Sequence, residues 1–143
     1  MSDETTEDAI AGADETTLEP LEVDAAGAAA LVESGARLID VRTAHEFDAG
    51  RLIGAERIGL ENVADRRSEL DPATPIVFYC RIGNRSLMAV EAFVGAGFEA
   101  VSLAGGIDSW IKDGRAIEPE DGFVGEPGEA ASILEARSRA ASA

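Results

Sequence analysis

Apolar residues occur in this chain as short runs, separated by polar, glycine-containing or helix-like segments. The clearest runs lie at residues 38–41, 75–79 and 98–103. Short apolar runs bounded by turn residues are typical of strands buried in a parallel sheet. Helix-like segments alternate with these runs along the chain. The pattern therefore predicts an α/β fold, a three-layer α/β/α domain with a mainly parallel central sheet and helices on both faces.

Individual elements follow from periodicity and from residues that cap or break helices. We predict strands at 21–23, 37–42, within 52–58, at 75–79 and at 98–103. We predict helices at 25–33, 44–48, 61–70, 86–96 and 107–113. Asp24 and Thr43 are suitable N-caps. The helix at 86–96 carries apolar residues around almost its whole circumference, which predicts that it is buried.

Composition divides the chain into three parts. Residues 1–17 contain six acidic and no basic side chains, with scarcely any large apolar group, which predicts a disordered acidic tail. The alternating pattern occupies residues 18–116. Residues 117–143 form a C-terminal extension, which we expect to be a loop followed by a weak helix. The apolar pair Ile133 and Leu134 is compatible either with docking of that helix on the domain or with fraying.

The charge of the chain is strongly acidic. Asp and Glu number 28 against 12 Lys and Arg, the formal net charge is -16, and Lys112 is the only lysine. This balance argues against nucleic acid as a direct ligand, because phosphate contacts need clustered cations. It also supports the hypothesis of a halophilic protein adapted to a salt-rich cytoplasm, where screening weakens self-repulsion. The alternative is an acidic protein of an ordinary cell; a melting temperature that does not fall as salt is removed would contradict the halophilic hypothesis.

Three absences in the sequence bound the compartment: a membrane span, a signal pattern and a second cysteine. No apolar stretch approaches the length of a membrane span, and the N-terminus lacks a basic and then apolar signal pattern. Cys80 is the only cysteine, so neither an internal disulfide nor a cysteine-built metal site is expected. We therefore expect a cytoplasmic protein without a membrane partner and without a bound metal.

The surroundings of Cys80 predict a reactive thiol. Cys80 follows the strand at 75–79 and precedes a helix, which places it at the carboxyl edge of the sheet, where open α/β folds bind ligands. The free N–H groups and the dipole of the helix favour a thiolate, as do the guanidinium groups of Arg81 and Arg85. Gly83 allows successive amides to point inward. A buried structural cysteine is the alternative, but two charges and a glycine do not suit a packed core.

Four motifs occur in an order that resembles the rhodanese family, whose members pass sulfane sulfur through a cysteine persulfide. They are Leu38–Arg42 followed by His45-Glu46-Phe47, then Gly54-Ala55, then Cys80–Arg85, and finally Leu103–Trp110. The resemblance covers residues 18–116. Departures from the family pattern are Arg51-Leu52 and Arg57, at positions that usually support structure rather than catalysis.

The resemblance implies a role for each residue of the loop and for two residues nearby. Cys80 is expected to be the nucleophile and persulfide carrier, and Asp40 and Arg42 to order the loop. The backbone amides of the loop are expected to hold the transferred sulfur, and Arg81 is expected to be the main substrate-facing cation. The predicted substrate-binding residues are Arg81, Ile82, Gly83, Asn84 and Arg85.

Supporting roles are implied for a few other side chains. Arg85 is expected either to reach an acid such as Asp40 or to bind substrate directly. Glu46 is expected to anchor a helix, and Trp110 to serve packing. His45, the only histidine, falls at a variable position, so a Cys–His dyad is not expected.

The activity implied is sulfur transfer from thiosulfate or a persulfide donor to a thiol or to cyanide, with no cofactor. The expected partners are a small anionic sulfur donor, a thiol acceptor and a sulfur-relay protein. Two alternatives stay open. Related cysteine phosphatases have five residues between Cys and Arg, whereas only four separate Cys80 from Arg85 here. A non-catalytic binding or regulatory module of the same fold is the other, although such modules typically lack the cysteine.

Overall fold

A computed structural model describes residues 21–142, so the predicted acidic tail at 1–17 lies outside the described residues. The strands are β1 (Glu22–Val23), β2 (Arg37–Asp40), β3 (Arg51–Leu52), β4 (Glu56–Arg57), β5 (Ile76–Tyr79), β6 (Ala100–Leu103) and β7 (Ile117–Glu118). The helices are α1 (Ala25–Glu33), α2 (Ala44–Ala49), α3 (Leu60–Val63), α4 (Asn84–Gly95), α5 (Gly106–Lys112) and α6 (Pro127–Ser142). A 3₁₀ turn occupies Arg67–Glu69.

Five strands form one parallel sheet in the order β1-β6-β5-β2-β4. The central strand β5 pairs with β2 through Ile39 and Phe78, and with β6 through Phe78 and Ser102. All four pairings in this sheet are parallel, which confirms the predicted fold class. A parallel strand with neighbours on both sides is buried, which explains why each residue of β5 is apolar or aromatic.

Helices cover both faces of the sheet. Successive side chains of β5 alternate between the faces, so Phe78 lies in one core cluster and Tyr79 in the other. The Phe78 cluster includes Phe93 of α4, whose ring meets Phe78 edge to face at 5.0 Å. The Tyr79 cluster includes Ala28 of α1 and Ile107 of α5. The residue that follows β5 is thus fixed by elements on both sides of the sheet.

Two predictions about helices were wrong. The predicted helix at 61–70 is only α3 followed by the 3₁₀ turn, because Val63 and Leu70 alone are buried there and a continuous apolar stripe is missing. The helix α4 is not buried on all sides: Met88 and Val94 are exposed at 59% and 41%. It is an outer-layer helix, and the apolar side chains on its outer face are simply exposed to solvent.

The C-terminal extension packs on the domain. Strand β7 pairs antiparallel with β3, through Ile117 opposite Leu52. The backbone N–H of Phe123 donates to the carbonyl of Ala49 at 2.9 Å, and Ala130 of α6 is fully buried. Of the two alternatives that the sequence allowed for the C-terminal helix, docking on the domain is the one observed. Strand β7 was not predicted, since two residues give no detectable alternation. Within residues 21–142, no helix has the length and apolarity needed to span a membrane.

Candidate active site

Cys80 lies directly after the central strand β5, inside a tight loop that leads into α4. Its Sγ accepts the backbone N–H of Gly83 at 3.1 Å and the backbone N–H of Ser86 at 3.4 Å. The hydroxyl of Ser86 lies 3.4 Å from the same sulfur. Cys80 is only 1% exposed, and it belongs to the same core cluster as Phe78, so both the core and the loop enclose it. Hydrogen bonds to a sulfur acceptor stabilise a thiolate, and amides so arranged suit a negatively charged covalent intermediate as well.

The direction of these amides follows from the local backbone. Gly83 has φ +109°, a left-handed conformation that starts α4 and turns its own N–H back toward Cys80. Ser86 lies in the first turn of α4, where backbone N–H groups have no partner within the helix. The sulfur takes the place of that missing partner. The sulfur of Cys80 therefore accepts a hydrogen bond from an N–H group that the helix itself leaves unpaired.

The start of α5 holds the outer side of the loop. The N–H of Ile107 donates to the carbonyl of Cys80 at 2.9 Å, and the N–H of Asp108 donates to the carbonyl of Arg81 at 3.2 Å. Because the C=O and N–H of one trans peptide point in opposite directions, the N–H groups of Arg81 and Ile82 point away from the start of α5. Gly106 makes the approach possible: it has φ +60°, and a Cβ there would lie 2.3 Å from the Arg81 carbonyl oxygen and 2.4 Å from that of Cys80.

Two buried serines next to the loop, Ser86 and Ser102, were missed by the sequence analysis. The hydroxyls of Ser86 and Ser102 lie 2.7 Å apart, and Ser86 also donates to the carbonyl of Gly83 at 3.3 Å. Both serines are fully buried. Ser86 is a polar residue in the first turn of α4, directly before the apolar stretch at 87–90, and this was the available signal. Ser102 lies on β6, and only the sheet register brings it to the loop.

Arg85 reaches an acid, as one of its two expected roles required, but the acid is Glu46 and not Asp40. Its guanidinium donates to both carboxylate oxygens of Glu46 at 3.0 Å. Glu46 also accepts the backbone N–H of Thr43 at 3.0 Å in a capping box that starts α2. Asp40 is already engaged by the nearer Arg42.

Burial and hydrogen bonding act on Glu46 in opposite directions. Desolvation would raise the pKa of this buried carboxyl, but the hydrogen bonds from Arg85 and Thr43 outweigh it and hold the pKa below its usual range. The pKa of Arg85 is raised, first by its hydrogen bond to Glu46. Both groups are therefore charged at neutral pH. The ion pair ties the end of the loop to α2.

Asp40 and Arg42 form a buried ion pair next to Tyr79, the residue that precedes Cys80. Arg42 donates to Asp40 at 2.7 Å and to the carbonyl of Gly50 at 2.6 Å. Its guanidinium also lies 5.6 Å from the ring centroid of Tyr79, the residue before Cys80. Burial and then the charge of Asp40 raise the pKa of Tyr79, whose neutral hydroxyl accepts the N–H of Leu52 at 3.1 Å. None of the hydrogen bonds between described residues joins this pair to residues 81–85, so direct ordering of the loop by this pair is not seen among them.

The remaining predicted residues lie at the mouth of the loop. Arg81 forms a hydrogen-bonded ion pair with Glu126 of the C-terminal extension, and its Nε lies 3.5 Å from Asp108 of α5. Ile82 is 55% exposed at the tip, and Asn84 is also exposed. Over residues 21–142, no group of three or more His, Cys, Asp or Glu side chains is placed to hold a metal ion.

Comparison with known proteins places this site in a family. A family model described as the rhodanese-like domain matches residues 24–113, which is more than half of the chain. The chain belongs to the rhodanese-like domain family. The resemblance drawn from the four sequence motifs is thereby confirmed, and the Cys80 loop, α4 and α5 all lie within the matched residues.

Named relatives and solved structures are consistent with this family. The chain is 36% identical over 97 residues to a protein of Pseudomonas aeruginosa named thiosulfate sulfurtransferase GlpE, covering 67% of this chain and 84% of the relative. A rhodanese-related protein from Thermoplasma volcanium is 27% identical, with a TM-score of 0.63 over 67% of this chain and 95% of that one. Reduced Bacillus anthracis CoADR-RHD is 28% identical, with a TM-score of 0.59 over 62% of this chain and only 16% of that one.

We predict that Gly106→Ala will distort the loop of this rhodanese-like domain. The added Cβ would meet two backbone carbonyls, and the left-handed φ would be strained, so we expect a loss of about 2 kcal/mol or more in the free energy of unfolding. Gly95→Ala is the matched control, because a Cβ there meets nothing within 4 Å. Urea unfolding of both variants tests this. Equal stability of Gly106→Ala and the wild type would contradict the role of the α5 start.

We predict that Glu46→Gln will destabilise the protein by about 2 kcal/mol at pH 7, because a charged, buried hydrogen-bond acceptor is lost. A lowered pKa in the folded state stabilises the protein above the ordinary value of 4.5, and this stabilisation is lost as the pH falls through the folded-state pKa. The difference between wild type and variant should therefore shrink below about pH 4.5.

Urea unfolding at a series of pH values measures this difference. Glu56→Gln is the control, since Glu56 makes a partly exposed pair with Arg37 that should contribute less than about 1 kcal/mol. A difference between wild type and Glu46→Gln that stays constant down to pH 3 would contradict the ion pair.

Proposed function

We propose that this protein is a sulfurtransferase that carries sulfane sulfur as a persulfide on Cys80. The observation that carries the proposal is the convergence of the Gly83 and Ser86 N–H groups on Cys80 Sγ, at 3.1 and 3.4 Å. Such donors stabilise negative charge both on the attacking thiolate and on a persulfide formed from it. The name thiosulfate sulfurtransferase of the Pseudomonas aeruginosa relative supports the same reaction class.

The proposed reaction has two steps, and each conserves atoms and charge. In the first, the thiolate of Cys80 attacks the outer sulfur of thiosulfate; the new S–S bond gives a Cys80 persulfide anion, and sulfite leaves with the electron pair of the broken S–S bond. In the second, cyanide or an acceptor thiolate attacks the outer sulfur, and the Cys80 thiolate is released. The products are thiocyanate or an acceptor persulfide.

The acceptor in this scheme is external. Cys80 is the only cysteine of the chain, so no second thiol of the same molecule resolves the persulfide. A small thiol or a relay protein with its own cysteine supplies the second step. Because Cys80 is 1% exposed, donor and acceptor gain access by displacing side chains at the mouth of the loop.

The two alternative functions fit the site less well. A phosphatase needs a bowl wide enough for a tetrahedral phosphate, whereas this loop closes on one sulfur atom within hydrogen-bonding distance of two amides. A phosphatase would hydrolyse an aryl phosphate, whereas the proposed sulfurtransferase should not. A non-catalytic module does not require a cysteine whose sulfur accepts backbone N–H groups. Sulfur loading of Cys80 is expected of the enzyme and not of such a module.

We predict that thiosulfate will add one sulfur atom to the wild-type protein and that cyanide will remove it, as measured by intact mass. Cys80→Ser should take up no sulfur and should lose thiosulfate:cyanide transfer, because the nucleophile is gone, while its melting temperature stays close to that of the wild type. His45→Gln is the control: His45 is exposed, and the mechanism does not use it. Turnover by Cys80→Ser, or no sulfur on the wild type, would refute the proposal.

A further inference from the structure

The two arginines of the Cys80 loop are held by very different carboxylates. Arg85 is bonded to Glu46, whose side chain is completely buried. Arg81 is bonded to Glu126, whose side chain is 70% exposed. A buried, hydrogen-bonded pair is costly to separate, whereas a solvent-exposed pair contributes little to stability and exchanges readily with other ions. Of the two loop cations, Arg81 is therefore the one that an incoming anion can engage.

The chain segment that brings Glu126 to Arg81 is fixed on the domain. Phe123 is hydrogen-bonded to Ala49, and the guanidinium of Arg137 lies 4.9 Å from the ring centroid of Phe123. The N–H of the buried Ala130 donates to the carbonyl of Glu126 at 2.8 Å. These contacts anchor the backbone on both sides of Glu126. Its side chain, by contrast, is free to leave Arg81 without unfolding the segment.

The same segment lies outside the part of the chain that matches the family. The family model ends at residue 113, so Glu126 lies beyond the matched part. Glu126 follows Arg81 by 45 residues in the sequence. The Nε of Arg81 is shielded from solvent and makes no hydrogen bond to any described residue, although Asp108 lies 3.5 Å away. Arg81 thus has an unsatisfied donor beside a displaceable carboxylate.

We propose that Glu126 is a specificity-determining residue, an internal carboxylate that occupies Arg81 and with which an anionic sulfur donor must compete for the Cys80 loop. This inference rests on the proposed function for the identity of the donor as a sulfur compound. Glu126 selects against weakly binding small anions, and a donor that carries more negative charge, or makes additional contacts, displaces it more effectively. Removal of the Glu126 charge frees Arg81 for any anion.

The test compares an anionic and a neutral reagent for the same thiol. Alkylation rates of Cys80 with iodoacetate and with iodoacetamide are measured by intact mass on the full chain. Their ratio reports anion recruitment, independently of sulfur transfer. We expect Glu126→Gln to raise the iodoacetate-to-iodoacetamide ratio about three-fold, in keeping with the strength of exposed ion pairs. Glu120→Gln is the matched control, since it removes the same charge from an exposed position on the same segment.

A double-mutant cycle assigns the effect to Arg81. In an Arg81→Gln background, Glu126→Gln should no longer change the ratio, because the cation for which the anion competes is absent. An unchanged ratio in Glu126→Gln, an equal rise in Glu120→Gln, or a rise that persists without Arg81 would overturn the inference. So would a Cys80 that neither reagent alkylates in any variant.

Thiosulfate provides a second readout that separates this inference from the proposed function. If Glu126→Gln lowers the thiosulfate concentration needed for half-maximal sulfur loading by a similar factor, both proposals are supported. If thiosulfate loads no variant with sulfur while the alkylation ratio still rises, the sulfurtransferase proposal fails and the role of Glu126 stands. If loading occurs at the same concentration in wild type and variant, the role of Glu126 fails alone.

Discussion

Two backbone N–H groups directed at one sulfur atom are the interaction on which the site depends. Gly83 and Ser86 donate to Cys80 Sγ because a left-handed glycine starts α4 directly after the central strand, and the helix leaves its first amides without partners. Gly106 permits the close approach of α5, whose first N–H groups bind the carbonyls of Cys80 and Arg81. The anion-stabilising property therefore belongs to the backbone, and the fold supplies it without a cofactor in the proposed reaction.

The charged side chains of the loop have a different role from the amides. Each loop arginine is neutralised by a carboxylate, Arg85 by Glu46 and Arg81 by Glu126, so neither presents an unpaired positive charge to Cys80. The buried pair fixes the position of the loop, and the exposed pair lies at its mouth. In the proposed scheme, the ion pair within the family domain orders the loop, and the pair contributed by the C-terminal extension governs substrate choice.

Local patterns predicted what depends on local structure. The parallel strand β5, the Cys80 loop and the following helix are contiguous, and apolar runs and a glycine suffice to predict them. The pair of Arg85 and Glu46 joins residues 39 positions apart, and no periodicity encodes it. Ser102 reaches Ser86 only through the register of β6. The predicted helix at 61–70 failed for the opposite reason, since helix-forming residues without an apolar stripe had nothing to pack against.

The most direct test of the account is a crystal structure of the protein after thiosulfate treatment. We expect the outer sulfur of a Cys80 persulfide to lie inside the loop, within hydrogen-bonding distance of backbone N–H groups between residues 81 and 86, with α4 and α5 unmoved. A persulfide directed away from these amides, or a loop that loses its conformation when the sulfur is bound, would contradict the claim that the backbone stabilises the anion.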